Sequence, residues 1–428
     1  MKFTVLPNLI ALAVLVAIFW AISRKATTER VHLWFAGWAF ILLHFAAEFV
    51  SAAKDPWGAI AAIVSVDSLV LGGVAFLISV SGIAARRQQL TLALSIAGPA
   101  LAYATGVVCG ITSRNYYFAL IAASVLAPSI CCRAQAVQSK WKALGISAVA
   151  GSAAVIAVWA IVRGNPDLGI AVVLATLNFL IAILYAGSHR RATAGVITAV
   201  AGFVLWGAVF PLAILLDIFA SGFRPQSEAW NIPKYLVAVG MILTLFEEQI
   251  ETCKYHAHHD ELTGLPNRRL LEDRLARALT YAHRAETKVA VLQLDLDRFK
   301  EVNDTYGHRI GDLALQEVAA RLAKRIRAED TLARSGGDEF TVISPAKDRK
   351  SAEALVSALE LALSLPILID GREVQTGLSV GIALYPDDGS NADQLHAAAD
   401  GAMYAVKRSG RAAHPDEALT ESSRVTSL

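Results

Sequence analysis

The first half of this 428-residue chain is a succession of apolar segments, and this pattern restricts the fold more than any other feature. Segments close to the length of a membrane-spanning helix occur at about 4–23, 32–52, 59–83, 90–112, 116–136, 143–162, 168–187 and 194–220. A ninth, shorter segment at 229–246 carries Lys234 near its start. Because about 20 consecutive apolar residues cross a bilayer as a helix, we expect an all-α transmembrane helix bundle over residues 1–246.

Composition agrees with a membrane portion followed by a water-exposed portion. Charged residues make up 18% of the chain, compared with about a quarter in soluble globular proteins. Most of them follow residue 246. The formal net charge of +2 argues neither for nor against a nucleic-acid partner, and we expect none. The four cysteines show no disulfide framework, so we expect no disulfide bonds.

Basic residues divide the connections between these segments into two alternating sets. One set is rich in them: Arg24, Lys25, Arg30, Arg86, Arg87, Arg133, Lys140, Lys142, Arg190 and Arg191. The other connections hold a single basic residue each: Lys54, Arg114, Arg163 and Arg224. Since basic loops stay in the cytoplasm, nine helices place the N-terminus outside and everything after Phe246 inside. Eight helices would reverse this pattern or leave the ninth segment at the membrane interface.

Few titratable side chains interrupt the apolar segments, and His44 and Glu48 are two of them. Such residues normally face the bundle interior or a wet cavity, because a charge at the bilayer centre costs a few kcal/mol. The two residues are four apart and share a helix face. They fit half of a ligand, proton or metal site, but the favoured interpretation is a polar pair that holds helices together or lies near the interface.

A charged stretch at 247–259 continues the ninth apolar segment without glycine or proline, which predicts a signalling linker helix. Leu243, Ile250 and Ala257 repeat at seven residues, and so do Phe246 and Cys253. This spacing is typical of a two-stranded coiled coil, in which two copies of the chain would pair. It covers only about two heptads, so an ordinary amphipathic helix fits equally well.

Residues 260–413 predict one domain of ordinary size. The predicted elements are helix 267–285, strand 288–295, helix 311–328, hairpin 331–344, helix 350–364, strands 367–376 and 378–385, and helix 391–408. Asp370-Gly371 has the composition of a hairpin turn. Hairpins joined to packing helices predict an α+β domain with a largely antiparallel sheet. The polar tail at 414–428 is expected to be disordered.

Two groups of carboxylates lie at the end of a predicted strand or in the turn between two predicted strands. Asp295 and Asp297 end the first strand, while Asp338 and Glu339 follow two glycines in the hairpin turn. Glycine lets backbone approach a phosphate, and Mg²⁺ takes oxygen ligands from carboxylates, phosphates and water. We expect Asp295 and Asp297 to face opposite sides of the strand, so that only one joins a given metal site. Alone, this turn fits any acidic hairpin.

Five segments in order make the pattern specific. They are DELTGLPNRR at 260–269, DLDRFKEVND at 295–304, Gly307-His308 with Gly311-Asp312, GGDEF at 336–340, and YAVKRSGR at 404–411. Over about 150 residues this pattern resembles the GGDEF domain of bacterial diguanylate cyclases. The resemblance implies a palm-like, nucleotidyl-cyclase-like α+β fold. It further implies that two domains, each binding one GTP, meet face to face and form cyclic di-GMP and two pyrophosphates.

The resemblance also implies roles for individual residues. The metal ligands would be Asp295, the carbonyl of Leu296, Asp338 and Glu339, and the metal would be Mg²⁺, with Mn²⁺ as a substitute. The catalytic residues would be Glu339, Asp338 and Lys407. Nucleotide would contact Asn303 and Asp312 at guanine, Lys407 and Arg411 at the β and γ phosphates, and also Phe299, Lys300, Gly336 and Gly337. Arg327 and Asp330 match the family's RxxD product-binding site, which implies inhibition by cyclic di-GMP.

The preferred function is therefore a diguanylate cyclase in the bacterial inner (cytoplasmic) membrane, multi-pass, with its GGDEF domain in the cytoplasm. It is expected to act as a homodimer through the GGDEF domain and the linker helix, in contact with the lipid bilayer. One alternative is a catalytically inactive domain that serves as a cyclic di-GMP receptor through Arg327 and Asp330. The intact Asp338 and Glu339 argue against that alternative. A transporter regulated by the domain is not favoured, because the intramembrane charges are sparse.

Overall fold

The structure, a computed structural model, describes residues 6–51, 56–83, 86–123, 140–164, 167–189, 191–219 and 229–412. The chain divides into two compact units, Met1–Gln249 and Ile250–Leu428. The predicted tail at 414–428 lies outside the described residues.

The first unit is entirely helical where it is described, as predicted. Its helices are α1 (Leu6–Ser23), α2 (Glu29–Ser51), α3 (Pro56–Val80), α4 (Arg86–Val108), α5 (114–123), α6 (Lys140–Val162), α7 (Asp167–Ser188), α8 (Ala194–Phe219) and, after a 3-10 turn at Ala229–Asn231, α9 (Ile232–His258). Among the described residues, seven of these, α1 to α4 and α6 to α8, are long and apolar enough to cross a membrane. The fifth predicted segment, 116–136, is described only as far as residue 123.

The ninth predicted segment and the linker form one unbroken helix, α9. It carries Lys234, Glu247 and Glu248, and it is not among the seven candidate spans.

The pair formed by His44 and Glu48 lies where α2 meets α3. His44 Nε2 is 3.9 Å from Glu48 Oε2, and His44 Nδ1 is 2.9 Å from both the carbonyl and the hydroxyl of Ser65. These contacts tie two helices together, and the described residues contain no group of three or more metal-ligating side chains.

Aromatic side chains fill the centre of the bundle. Trp34, Trp38 and Phe76 are all almost completely buried. The rings of Trp38 and Phe76 meet edge to face, with centroids 5.4 Å apart. This contact needs Gly37, because a Cβ at that position would lie 2.5 Å from the Phe76 ring. The close approach of α2 to α3 is therefore specified by a glycine and two large rings.

The second unit alternates helices and strands. Its elements are α10 (Arg268–Ala285), β1 (Lys288–Asp297), α11 (Phe299–Tyr306), α12 (His308–Ala323), β2 (Thr331–Gly336), β3 (Glu339–Ala346), α13 (Arg349–Leu363), β4 (Ile367–Ile369), β5 (Arg372–Val374), β6 (Gly377–Tyr385) and α14 (Ala392–Ala412). The main sheet has the strand order β2-β3-β1-β6, and each neighbouring pair is antiparallel. The predicted α+β fold with a largely antiparallel sheet is confirmed.

The structure differs from the predicted elements in three places. The helix predicted at 311–328 is α12, which begins at His308 and ends at Ala323, five residues before the predicted end. The strand predicted at 367–376 is a small hairpin, in which β4 and β5 are joined by Asp370 and Gly371 with φ of 49° and 76°. Positive φ at both positions is the geometry of the tight hairpin turn that this dipeptide favours. The short helix α11 was not predicted, because eight residues are too few to show a clear helical period.

Alternation along β1 positions the polar end of the sheet. Leu292, Leu294 and Leu296 point to one face and pack in the core that includes residues of α11, α12 and α13. The opposite face starts with Val289 and Val291, which pack with residues of α10 and α14. The same face then continues with Gln293, Asp295 and Asp297. It therefore changes from apolar to acidic towards the end of β1.

Candidate active site

Three carboxylates meet where β1 ends beside the turn between β2 and β3. Asp295 and Glu339 are directly opposite each other in the β1–β3 ladder. Opposed residues on one face of a sheet have Cβ atoms about 5 Å apart. The backbone N–H of Leu296 donates to the carbonyl of Asp338 at 3.3 Å. The strand pairing thus gathers Asp295, Asp338 and Glu339 at one edge, although they come from distant parts of the sequence.

Lys407 reaches this edge from α14. Its Nζ is 2.6 Å from Asp295 Oδ1. Lys407 can contact Asp295 because α14 packs closely on Gly381 of β6. A Cβ at Gly381 would lie 2.0 Å from the Ala399 carbonyl and 2.4 Å from the Met403 backbone nitrogen. Because no side chain separates β6 from α14 here, the next turn of the helix can bring Lys407 to Asp295.

The electrostatics of this edge show an excess of negative charge. Burial raises the pKa of Asp295; the Lys407 contact opposes this shift, and the charges of Asp338 and Asp297 add to it. Burial likewise raises the pKa of Glu339, with further increases from Asp295 and Asp338. A group whose charged form is disfavoured by its neighbours gains from a nearby cation. The site is therefore suited to a positively charged ligand in addition to Lys407.

Asp297 does not face away from Asp295, and that expectation was wrong. Residues two apart in a strand point to the same face, so both carboxylates lie on the acidic side of β1. What distinguishes Asp297 is its hydrogen bonding to β6: Ser379 Oγ donates to its Oδ1 at 2.6 Å. A Cβ at Gly377 would lie 2.4 Å from Asp297 Oδ2. Asp297 is thus held against the neighbouring strand.

The donor set fits Mg²⁺. The described residues contain no group of three or more His, Cys, Asp or Glu side chains arranged to hold a cation by themselves. Mg²⁺ usually takes one or two protein carboxylates and completes its shell with phosphates and water. In an antiparallel strand the N–H and C=O of one residue point the same way, so the Leu296 carbonyl also faces the turn that holds Asp338. Asp295, Leu296, Asp338 and Glu339 can supply such a shell.

Arg334 fixes the glycine turn, a role that the sequence did not reveal. Its Nε and Nη2 donate to the Gly337 carbonyl at 2.9 and 2.7 Å, and its Nη1 donates to Asp260 Oδ1 at 2.9 Å. Burial tends to raise the pKa of Asp260, but hydrogen bonds from Thr263 and Arg334 outweigh it and hold that pKa below its usual value. The available signal was weak: Asp260 belongs to the first motif segment, and Arg334 lies two residues before the glycines of the fourth.

The predicted guanine-binding residues lie on α11 and α12. A Cβ at Gly311 would lie 1.9 Å from Asn303 Oδ1, so the amide of Asn303 occupies the space of the missing side chain. Asp312, the next residue, is exposed on α12, and Lys300 is exposed on α11. Phe299 is buried in the core rather than open to solvent. The side chain of Arg411 lies outside the described residues, although its backbone belongs to α14.

Arg327 and Asp330 precede β2, at the end of that strand remote from the glycine turn. The backbone N–H of Arg327 donates to Asp330 Oδ2 at 2.8 Å. Asp330 Oδ1 is buried and has no hydrogen-bond partner, while the Arg327 side chain is exposed. A buried carboxylate oxygen without a donor is costly, and a ligand with an N–H group would satisfy it.

A polar cavity of about 350 Å³ adjoins Glu339 on the side of α10 and α14. Ser335 and Thr341 line it, with their hydroxyl oxygens 3.0 Å apart, and Thr341 Oγ1 donates to Gln293 Oε1 at 3.0 Å. These hydrogen bonds order the cavity wall beside Glu339. Glu339 is therefore accessible from the side of the sheet opposite the large core.

Comparisons with known proteins match the part of the chain that contains this site. Residues 257–413 match the family model described as diguanylate cyclase, GGDEF domain. The bifunctional diguanylate cyclase/cyclic di-GMP phosphodiesterase MucR of Pseudomonas aeruginosa is 50% identical over 155 residues, which cover 36% of this chain and 23% of MucR. Diguanylate cyclase TpbB of the same organism is 42% identical over 167 residues, covering 39% of this chain and 38% of TpbB.

A solved structure of the isolated GGDEF domain of TpbB (YfiN) from Pseudomonas aeruginosa is 44% identical. It aligns with 36% of this chain and 90% of that domain, with a TM-score of 0.35. The chain spans less than two fifths of the length of either curated relative. The family match and the two relatives identify residues 257–413 as a GGDEF domain, a member of the diguanylate cyclase GGDEF family.

Proposed function

We propose that this protein is a membrane-bound diguanylate cyclase that condenses two GTP molecules into cyclic di-GMP and two pyrophosphates. The observation that carries the proposal is the acidic edge formed by Asp295, Asp338 and Glu339, with Lys407 held against it. Phosphoryl transfer needs little beyond positioning and charge neutralisation, and these residues supply both. A domain without catalytic activity would not need these closely spaced carboxylates, whose mutual repulsion destabilises the fold.

Each residue has a definite task in the proposed reaction. Glu339 takes the proton from the 3′-hydroxyl of one GTP, and that oxygen then attacks the α-phosphorus of the other GTP. The bond from the α-phosphorus to the bridging oxygen breaks, and pyrophosphate leaves. Lys407 moves from Asp295 to the β and γ phosphates, where Arg411, four residues further along α14, adds a second positive charge. When bound, Mg²⁺ supplies neutralisation of the triphosphate charge.

Guanine recognition is assigned to Asn303 and Asp312. An amide and a carboxylate suit the edge of guanine, which presents both donors and acceptors. The missing side chain at Gly311 supports this assignment, because it leaves the space in which the Asn303 amide lies. Lys300 and the glycines at 336 and 337 are exposed beside this region and would approach the phosphates. Phe299 supports the pocket from the core.

The proposed enzyme works as a dimer, because each GTP is attacked by the other. Helix α9 supports pairing outside the catalytic domain. Leu243, Phe246 and Ile250 are apolar yet 39%, 61% and 51% exposed. They share the heptad stripe with Cys253 and Ala257, and a second α9 would cover this stripe.

The seven apolar helices support a location in a membrane. We assign the bacterial inner membrane, with the GGDEF domain in the cytoplasm, because the connections rich in basic residues lie on that side when nine segments cross. Product inhibition is proposed at Arg327 and Asp330, because the Arg327 side chain is exposed and Asp330, three residues later, has a buried oxygen without a hydrogen-bond partner. The same pair would serve in the second candidate function, an inactive receptor for cyclic di-GMP. Substituting Arg327→Ala should weaken product inhibition of an active enzyme.

The test uses the full chain in lipid nanodiscs with GTP and Mg²⁺. The unmodified protein should release cyclic di-GMP and pyrophosphate, and Glu339→Gln should lower the rate at least about 100-fold. The matched control is Glu353→Gln, an exposed carboxylate on α13, which should leave the rate unchanged. If the unmodified protein makes no product but binds cyclic di-GMP, and Arg327→Ala removes that binding, the receptor function is correct instead.

A further inference from the structure

A cavity of about 450 Å³ lies where the corner between α1 and α2 meets α9. Its wall has two chemically different parts. One part is apolar and is contributed by Ile22, Ile242 and Leu245. The other part carries hydroxyl and basic groups, from Thr28, Lys25 and Arg30, together with one carboxylate, from Glu248. A cavity with a basic end and an apolar body matches a molecule that has an anionic head and a hydrocarbon tail.

The basic end of the cavity is also the place where α9 is attached to the rest of the bundle. Arg30 Nη2 lies 2.5 Å from Glu248 Oε2. The neighbouring Glu247 accepts a hydrogen bond from the backbone N–H of Gly195 at 3.1 Å and another from the Thr193 hydroxyl. Two consecutive carboxylates therefore hold α9 to α2 and to the start of α8. The attachment lies immediately before Ile250, the first residue of the second unit.

Lys25 provides positive charge that this attachment does not use. Among the described residues it forms no ion pair, and it lines the cavity while being exposed to solvent. Arg30, by contrast, is shared between Glu248 and the face of Trp34, whose centroid is 5.0 Å from the guanidinium carbon. An anion that enters beside Lys25 would compete with Glu248 for Arg30.

We propose that this cavity binds an anionic phospholipid of the adjacent membrane leaflet, with the phosphate between Lys25 and Arg30 and an acyl chain along Ile242 and Leu245. Competition for Arg30 loosens the contact with Glu248, so the bound lipid changes how firmly α9 is held. The proposal rests on the proposed membrane location, and its effect on catalysis rests on the proposed cyclase activity. Lipid composition would then regulate the GGDEF domain through α9.

The experiment measures lipid retention, which is independent of cyclase activity. The full chain is placed in nanodiscs of phosphatidylcholine alone or of an equal mixture with phosphatidylglycerol. It is then extracted into detergent, and the phosphatidylglycerol that remains bound is quantified by native mass spectrometry. Lys25→Ala should retain about fivefold less, the effect of one basic residue near an anionic headgroup. The control Arg24→Ala removes the same charge from the adjacent residue, which lies over the Trp20 ring and does not line the cavity.

Glu248→Gln provides a second variant with the opposite expected effect. It removes the competitor for Arg30, so phosphatidylglycerol retention should increase relative to the unmodified protein. Equal retention by Lys25→Ala, Arg24→Ala and the unmodified protein would overturn the proposal. So would displacement of the lipid by soluble glycerol phosphate at comparable concentration, because the site would then recognise a free phosphate. Retention does not require catalysis, so an inactive enzyme would contradict the proposed function without deciding this result.

Discussion

At the level of single residues, the acidic edge of the sheet is a compromise between stability and chemistry. Asp295 is only 8% exposed, and Glu339 stands opposite it with Asp338 beside both. Like charges this close disfavour one another's ionised forms, and burial adds to the cost. Lys407 offsets part of that cost through its contact with Asp295. The cation that would accompany a bound nucleotide would neutralise the remaining negative charge.

The pKa of Glu339 predicts how the stability of the domain depends on pH. A carboxyl whose pKa is raised by folding stabilises the fold below its ordinary pKa of 4.5, and this contribution is lost as the pH rises through the raised pKa. Glu339→Gln should therefore be more stable than the unmodified protein at about pH 7 and nearly equal at about pH 4. The gain should be only a few tenths of a kcal/mol, because Glu339 is largely exposed.

Hydrogen exchange of peptides from β1 and β3 measures this difference, since the domain itself contains no tryptophan to report its unfolding. Glu353→Gln is the control and should show no pH-dependent gain. A Glu339→Gln variant that is less stable at neutral pH would show that the carboxylates are not in electrostatic conflict.

Arg334 leads to a second prediction. Arg334→Lys keeps the positive charge, but a single ammonium group cannot reproduce the planar fork that joins Asp260 to the Gly337 carbonyl. The turnover number should fall about tenfold, and the domain should lose about 1–2 kcal/mol of stability. Steady-state kinetics and hydrogen exchange at 260–267 report the two effects. Arg372→Lys, at an exposed position of β5, is the control, and an equal effect of both changes would contradict the assigned role.

The sequence predicted which carboxylates of the candidate site come together better than it predicted their surroundings, and the roles of these residues stay predictions. The order of the motif segments assigned Asp295, Asp338, Glu339 and Lys407, and the strand pairing and the ion pair bring these four together. The prediction that Asp297 and Asp295 face opposite sides of the strand was wrong, although strand alternation alone would have placed both on the same face. The contacts of Arg334 could not be predicted, because they join segments 74 residues apart.

At the level of elements, the contact of α14 with β6 determines whether Lys407 can act. Gly381→Ala would place a methyl group about 2 Å from the Ala399 carbonyl, so α14 must move away from the sheet. We expect a loss of about 1–3 kcal/mol of stability and a fall in cyclase activity, since Lys407 moves with the helix. Hydrogen exchange of α14 and a GTP turnover assay measure both.

The matched control for this change is Gly401→Ala, within α14 itself. No atom lies within 4 Å of a Cβ at Gly401. Alanine is the better helix former by up to about 1 kcal/mol, so this variant should be as stable as the unmodified protein or slightly more so. If Gly381→Ala behaves like Gly401→Ala, the helix is not seated closely on β6.

The apolar stripe of helix α9 leads to a further prediction, a disulfide cross-link between the Cys253 residues of two copies of the chain. Cys253 is a free, exposed cysteine on the apolar stripe. In a parallel pair of helices its sulfur would face the same sulfur of the second copy within disulfide reach. Mild oxidation of the protein, with Cys109, Cys131 and Cys132 replaced by serine, should give a covalent dimer on a non-reducing gel.

The control moves the cysteine to the opposite side of α9. In the double variant Cys253→Ser/Glu251→Cys, the sulfur lies two positions away, about 200° around the helix. This variant should remain monomeric under the same oxidation. Equal cross-linking of both forms would mean that the helices collide at random rather than pair along the stripe.

Element prediction succeeded where a periodic pattern was long and failed where it was short. Helix α10 and strand β1 were predicted to within two or three residues, because apolar periodicity extends over their whole length. The hairpin of β4 and β5 was merged into one strand, although the Asp370-Gly371 turn signal was present. Helix α11 was absent from the prediction, since its eight residues are too few to show a clear helical period.

At the level of the whole molecule, the chain joins an apolar helical unit to a GGDEF domain through one continuous helix. Hydropathy alone predicted the helical unit and the position of the change in composition. It did not predict a function for that unit, because membrane helices with different functions have similar apolar compositions. The family match begins at residue 257 and therefore concerns only the second unit.

The central claim, that the acidic edge converts GTP into cyclic di-GMP, is tested most directly by product stoichiometry. The full chain in nanodiscs is given GTP and Mg²⁺, and cyclic di-GMP and pyrophosphate are quantified together by mass spectrometry and a coupled assay. We predict two pyrophosphates for each cyclic di-GMP, and neither product from Glu339→Gln. Undiminished synthesis by Glu339→Gln, or no cyclic di-GMP from the unmodified protein, would contradict the claim.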